Sequence, residues 1–281
     1  MCRLFLFISH EKPLNLKYVI NDSFNSLKNQ SFQQPYLPEL DETNKYVKKR
    51  NPRTHMDGFG LAYKLNKKYK IFKTKKPIVD KNLKIRKEIL ENIKNYDSNF
   101  ILAYIRRSNN INKNCLDDTQ PFIYKNNYFL HNGQFSEYFN EIIQDLIGNI
   151  KKKFLLKIGF NMDSKLLFCL LLSNLTLNKT ITFQKIYKEI IYIINIFNKC
   201  SQGKKFNISL NFIFANIFNK VYLAIRYRTG NEMAPSLYFN KDYNEGIAIS
   251  SEPIDINQNW TLLNNQIVII IGHEYQIFNI N

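Results

Sequence analysis

Apolar residues arrive along this chain in short bursts, and the bursts follow two periods. Runs rich in branched and aromatic residues at 4–8, 60–65, 69–74, 100–106, 122–124 and 128–131 read as strands. Lys125-Asn126-Asn127, between the last two, reads as a hairpin turn. Helical spacing predicts a helix over 81–95, with Leu83, Ile85, Ile89, Leu90 and Ile93 as its apolar positions. A second, over 136–146, carries Tyr138, Phe139, Ile142, Ile143 and Leu146. Residues 163–175 and 182–198 are apolar on more than one face, which predicts helices buried between other layers. Strand patterns return at 207–215, 221–228, 236–240, 246–250 and 266–271.

Strands at both ends, helices in the middle, no internal repeat and no long linker predict one α+β domain over residues 1–281. Its helices should cover one or both outer faces of stacked sheets. The polar stretch 35–54, holding Pro35, Pro38 and Pro52, is the best loop candidate, either a lid near a site or a plain surface connection. With 44% apolar residues in 281, the chain can bury a large core.

A formal net charge of +17 would ordinarily point to nucleic acid or an anionic surface. Here the lysines fall in scattered short runs among Asn and Ile, and no helix-turn-helix, zinc-finger or RNP signature accompanies them, so neither a nucleic-acid nor a membrane partner is expected. Cys2, Cys115, Cys169 and Cys200 are far apart and form no CxxC pair, which indicates neither a metal site nor a disulfide framework and suits a reducing, cytoplasmic setting. The longest apolar stretches, 166–172 and 190–197, fall short of the roughly 20 residues of a membrane span.

The chain begins MCRLFLFISH. Its apolar run stops at Ser9, His10 and Glu11, too short for the core of an export signal. One reading of Cys2 is a buried structural thiol at a strand edge. The other is chemical: with Met1 trimmed, Cys2 holds both a thiol and a free α-amine, whose ordinary pKa of roughly 8 lets it accept the thiol proton near neutrality.

Further candidates follow in order. Asp57-Gly58-Phe59-Gly60 sets two glycines at a strand mouth, where backbone turns sharply or approaches something closely. Arg106 ends an apolar strand with Tyr104 on the same face, and a guanidinium there suits bidentate capture of a carboxylate; a salt bridge, or Arg107 in that role, are the alternatives. His131-Asn132-Gly133 closes a strand with a side-chain amide beside an unobstructed backbone N–H, the two donor types an oxyanion hole requires, although a turn is the simpler reading. Asp163-Ser164 opens an apolar helix, where either residue can cap and a carboxylate can equally receive a ligand ammonium.

Taken in order, Met-Cys, DGFG, strand-Arg, QPF, HNG and DS before a helix resemble a class II glutamine amidotransferase of the N-terminal-nucleophile hydrolase superfamily, whose pattern runs Met-Cys, DGfG, AHvR, HPF, HNG, DSE. Asn29-Gln30-Ser31-Phe32, Leu210-Asn211-Phe212 and Ser251-Glu252-Pro253 followed by Trp260 resemble the single-domain branch that contains the γ-glutamyl hydrolases of glutathione degradation and ergothioneine synthesis. The resemblance implies a four-layer αββα sandwich and hydrolysis of a γ-glutamyl amide or peptide bond, with no cofactor. It implies Cys2 as nucleophile and, through its amine, general base, with Asn132 and the Gly133 N–H as the oxyanion hole. Arg106 would hold the α-carboxylate of the γ-glutamyl group and Asp163 its α-ammonium.

Three positions depart from that pattern. Tyr104 and Gln120 each stand where the family usually has His, and Lys165 stands where DSE has Glu. The nucleophile, the oxyanion donors and both charge partners are retained. The altered surroundings motivate an alternative, a non-catalytic or partner-dependent subunit of a larger complex. The chain is too short to carry a synthase domain after such a fold, so simple hydrolysis is the expected chemistry.

Overall fold

The computed structural model describes residues 2–38, 55, 57–107, 115–133, 139–177, 181–201, 208–229, 234–256 and 259–280, and the side chains of 139–141 and 201 are excepted. Most of the 35–54 loop, the start of the 136–146 helix and the processing of Met1 therefore lie outside the described residues.

In chain order the strands are β1 (Arg3–Ser9), β2 (Leu14–Asn15), β3 (Phe59–Leu65), β4 (Lys68–Thr74), β5 (Asp97–Ser98) and β6 (Phe100–Ile105). There follow β7 (Phe122–Tyr124), β8 (Asn127–His131), β9 (Phe212–Asn216) and β10 (Val221–Arg226). The last five are β11 (Tyr238–Tyr243), β12 (Gly246–Ser250), β13 (Thr261–Leu262), β14 (Gln266–Ile271) and β15 (Glu274–Asn279). The helices are α1 (Leu27–Phe32), α2 (Lys87–Ile93), α3 (Phe139–Ile147), α4 (Lys152–Ile158), α5 (Asp163–Asn174) and α6 (Phe183–Ser201). This is the expected α+β class.

The chain divides into two compact units, Met1–Pro121 with Ser236–Leu263 and Phe122–Pro235 with Asn264–Asn281. The first is built on a seven-stranded sheet of order β13-β11-β12-β1-β6-β3-β4, every described pairing antiparallel. β1 thus lies at its centre, between β12 and β6. Phe5, Phe7, Phe59, Leu61, Ile101 and Ala103 share one face and pack with Leu27 of α1 and Ile89 and Ile93 of α2. The alternate residues Leu4, Leu6, Leu102 and Tyr104 are buried as well. A strand buried on both faces explains why RLFLFIS reads as a continuous apolar run with no alternation.

The second unit is a six-stranded antiparallel sheet, β15-β14-β10-β9-β8-β7. Phe129, Phe212, Phe214, Leu223 and Ile269 on one face meet Leu146 of α3, Phe154 of α4, Phe168 of α5 and Ile194 of α6. β7 and β8 close around Lys125-Asn126 as a two-residue turn with Tyr124 opposite Asn127. Each unit, taken by itself, has helices packed on one face of its sheet.

The expected 81–95 helix forms only over Lys87–Ile93. Asp80 accepts the backbone N–H groups of Asn82 and Lys84 at 2.8 and 3.0 Å, Leu83 takes a left-handed φ of 60°, and Val79 bridges Ile85, so residues 79–85 form a turn. The Lys84 N–H, above all, holds the Asp80 carboxyl below its usual range. Buried α5 matches its expectation on all sides, from Ser164 to Ser173. α6 does not: Ile186, Ile190, Ile193 and Phe197 form one buried stripe, while Tyr192 is half exposed and Lys188 and Lys199 face solvent. Edge strand β15 escapes the sequence because its residues are exposed or half-buried and form no apolar run.

Candidate active site

In the first unit, Arg3 pairs with Ile105 and Leu4 with Tyr104, which brings Cys2 to the end of β1 beside the chain leaving β6. The half-exposed Cys2 thiol is met there by the Tyr104 hydroxyl at 2.9 Å and by the Arg107 backbone N–H at 3.4 Å. The thiol's own donor faces the Arg107 carbonyl at 3.6 Å. Gln120 Nε2 donates to the Tyr104 oxygen at 3.3 Å. Tyr104 and Gln120 thus sit in contact, the tyrosine on the sulfur itself.

What anchors this end of β1 is a buried ion pair that the sequence does not reveal. Arg3 donates through one terminal nitrogen to the Cys2 carbonyl at 3.1 Å and through the other lies 2.7 Å from Glu252 Oε1. Glu252 Oε2 accepts from Asn25 Nδ2 at 3.2 Å and from the Tyr36 backbone N–H at 3.0 Å. Gln30, on α1, donates to the Glu252 carbonyl, and Leu4 and Ser251 exchange hydrogen bonds. The NQSF and SEP segments are therefore structural partners of the residue that follows Cys2.

Arg106 follows β6 directly; its N–H donates to the Gly58 carbonyl and its carbonyl accepts from Asp57. The side chain is buried, and Asp118 Oδ2 lies 4.0 Å away, at the outer limit of an ion pair. Arg107, the alternative, is exposed. The two glycines of DGFG have separate causes. Gly58 holds φ at 143°, and any Cβ there would lie 2.9 Å from the Thr74 carbonyl. At Gly60 a Cβ would collide with the carbonyl of Gln120.

The second unit carries the remaining candidates. His131 ends β8 opposite Phe212, and the Asn132 N–H donates to the Asn211 carbonyl at 2.7 Å. Asn132 is buried, and its side-chain amide is hydrogen-bonded to no described residue. A Cβ on Gly133 would collide with the Ser209 carbonyl and with His131 Nε2, so this glycine serves packing as well as an open N–H. His131 Nε2 lies 3.1 Å from the Ser209 carbonyl, which can only accept, so Nε2 carries the proton and Nδ1 accepts from Ser164 Oγ at 2.8 Å. Burial holds His131 below its ordinary pKa, against the pull of the Asp163 carboxylate. Asp163 is the first residue of α5, where a carboxylate suits the helix dipole, and its Oδ1 accepts the Ser164 N–H at 2.6 Å. Ser164 therefore links Asp163 to the HNG corner, a connection the sequence did not disclose. Lys165 is buried with Nζ 5.8 Å from the centre of the Phe122 ring.

Cys2 and Arg106 thus belong to the first unit and Asn132, Gly133 and Asp163 to the second. Among the other cysteines, Cys115 is exposed, Cys169 and Cys200 are buried, and burial pushes the Cys169 thiol up to about 12. Among the described residues, no helix is long and apolar enough to cross a membrane.

The family model for class-II glutamine amidotransferases matches residues 33–218, and the chain belongs to that family. Its fold is similar to a glutamine aminotransferase class-II domain protein from Silicibacter pomeroyi, at 17% identity and TM-score 0.59 over 99% of both chains. It is also similar to a predicted glutamine amidotransferase from Pseudomonas aeruginosa PA01, at 16% identity and TM-score 0.50 over 98% of this chain and 99% of that one. The glutamine phosphoribosylpyrophosphate amidotransferase of B. subtilis, solved with ADP and GMP, matches 99% of this chain with 49% of its own, at 13% identity and TM-score 0.55. No sequence among the curated proteins matches the chain.

Proposed function

We propose that this protein hydrolyses the amide or peptide bond of a γ-glutamyl compound, glutamine or a glutathione-like molecule, through a thioester on Cys2 after removal of Met1. The observation that carries this reading is the half-exposed Cys2 thiol at the start of the central strand, with an O–H and an N–H donor aimed at its sulfur. The α-amine of Cys2 takes the thiol proton, and the sulfur attacks the γ-carbonyl carbon. The Asn132 amide and the Gly133 N–H hold the resulting oxyanion. As the C–N bond breaks, the ammonium returns its proton to the leaving nitrogen. Water then attacks the thioester, with the amine as base, and releases the γ-carboxylate of glutamate. Arg106 takes the α-carboxylate of the γ-glutamyl group and Asp163 its α-ammonium, a pairing of opposite charges that selects an amino-acid head group. The protein acts in the cytoplasm, on a small molecule, without a cofactor.

Glutamate release from glutamine, glutathione and other γ-glutamyl compounds by the purified protein tests this. Asn132→Ala should lower turnover on the order of a hundredfold or more, with the unfolding temperature little changed, because no described residue bonds that amide. Near-normal turnover in Asn132→Ala overturns the assignment. Release only after addition of a second polypeptide replaces it with a partner-dependent subunit.

A further inference from the structure

We infer that the Tyr104 hydroxyl, oriented by Gln120, is the side-chain donor that stabilises the charged form of the Cys2 sulfur, so that Tyr104 and Gln120 act as one coupled unit of the nucleophile. This rests on the reading of Cys2 as the attacking group, and its test needs no substrate.

The direction of the proton follows from donor bookkeeping. A side-chain amide N–H can only donate, and Gln120 Nε2 lies 3.3 Å from the Tyr104 oxygen. The phenol oxygen accepts that bond, which leaves its single proton for the sulfur 2.9 Å away. A donor at that distance favours thiolate over thiol, because a hydrogen bond to an ionised acceptor is roughly twice as strong as one to a neutral acceptor. The Arg107 N–H adds a second donor at 3.4 Å, whereas the neutral thiol's acceptor among the described residues is the Arg107 carbonyl at 3.6 Å. Tyr104 is 3% exposed and Gln120 2%, so water competes poorly with this arrangement. Gln120 is seated in turn by the second glycine of DGFG, since its carbonyl occupies the space a Cβ on residue 60 would fill. A chain of contacts therefore runs from Gly60 through Gln120 and Tyr104 to the sulfur. Cys2 and Gln120 thus meet at the one Tyr104 oxygen.

The measurement is the rate at which iodoacetamide alkylates the Cys2 peptide, resolved by mass spectrometry between pH 6 and pH 10, with exposed Cys115 in the same samples as internal reference. Removing the hydroxyl alone, Tyr104→Phe should slow Cys2 alkylation about tenfold at pH 7 and leave the rate at pH 10 unchanged, since only thiolate reacts. Gln120→Leu should slow it about threefold at pH 7, and Tyr104→Phe/Gln120→Leu should be no slower than Tyr104→Phe, because the glutamine acts only through the phenol. A structural role would lower the pH 10 rate or the unfolding temperature instead. Wild-type alkylation in Tyr104→Phe overturns the inference, as does an equal effect of Gln120→Leu with and without the tyrosine. Alkylation as expected with no glutamate released from any γ-glutamyl compound would overturn the proposed function and leave this inference standing.

Discussion

Replacing Glu252 by glutamine keeps the side chain's shape while removing its charge, and the described partners of its two oxygens are donors. Oε1 faces the Arg3 guanidinium at 2.7 Å; Oε2 faces Asn25 Nδ2 at 3.2 Å and the Tyr36 N–H at 3.0 Å. All of these partners donate, so the amide NH₂ of glutamine opposes a donor whichever way it is turned. Arg3 and Glu252 are both buried, which leaves the guanidinium without a counter-charge and out of water. Breaking a buried pair from one side costs about 3–5 kcal/mol, against a total stability of about 5–15 kcal/mol for a typical protein. At about 2–4 °C per kcal/mol for a chain of this size class, Glu252→Gln should unfold about 6–20 °C below wild type in calorimetry. The companion Arg3→Met/Glu252→Leu removes both charges and should recover most of that loss, as whole-pair replacement by apolar residues generally does. Its glutamate release should stay low, since the Arg3 bond to the Cys2 carbonyl is gone. A Glu252→Gln melting point within 2 °C of wild type would refute the reasoning, because roughly that shift is what an exposed pair would give.

Gly133→Ala adds one methyl group where the Ser209 carbonyl and His131 Nε2 already lie, so the protein should lose about 2 kcal/mol or more in urea unfolding along with its turnover; unchanged stability would show that the corner can yield. His131 sets an acid limit: buried neutral, it binds a proton more weakly folded than unfolded, so the unfolded chain gains protons first as pH falls through about 6.5. Stability present above that pH should decline below it. The fall in urea midpoint between pH 7.5 and pH 5.5 should be smaller in His131→Gln, and equal falls would contradict the assignment.

Much of the scaffold is legible in the chain because burial leaves a periodic trace. The runs 122–124, 246–250 and 266–271 match their strands at both ends, and the unbroken apolar run 4–8 marks a strand buried on both faces. Local signals compete where side chains bond to backbone, as Asp80 does, and an apolar helical period then loses 81–85 to a turn and starts its helix at Lys87. Exposed edges such as β15 carry little trace, since nothing is buried to mark them.

By itself the sequence determined which chemistry was available: a cysteine at position 2, a strand-end arginine, an amide beside a glycine, and an acid at a helix start, in an order that resembles one family. The tertiary structure alone decided what each of these touches. Period-two alternation says which face a side chain takes, but not that Tyr104 meets Cys2, that Arg3 meets Glu252, or that Ser164 joins His131 to Asp163. Such contacts join residues remote in the chain, and they depend on register and packing between strands whose partners no local pattern names.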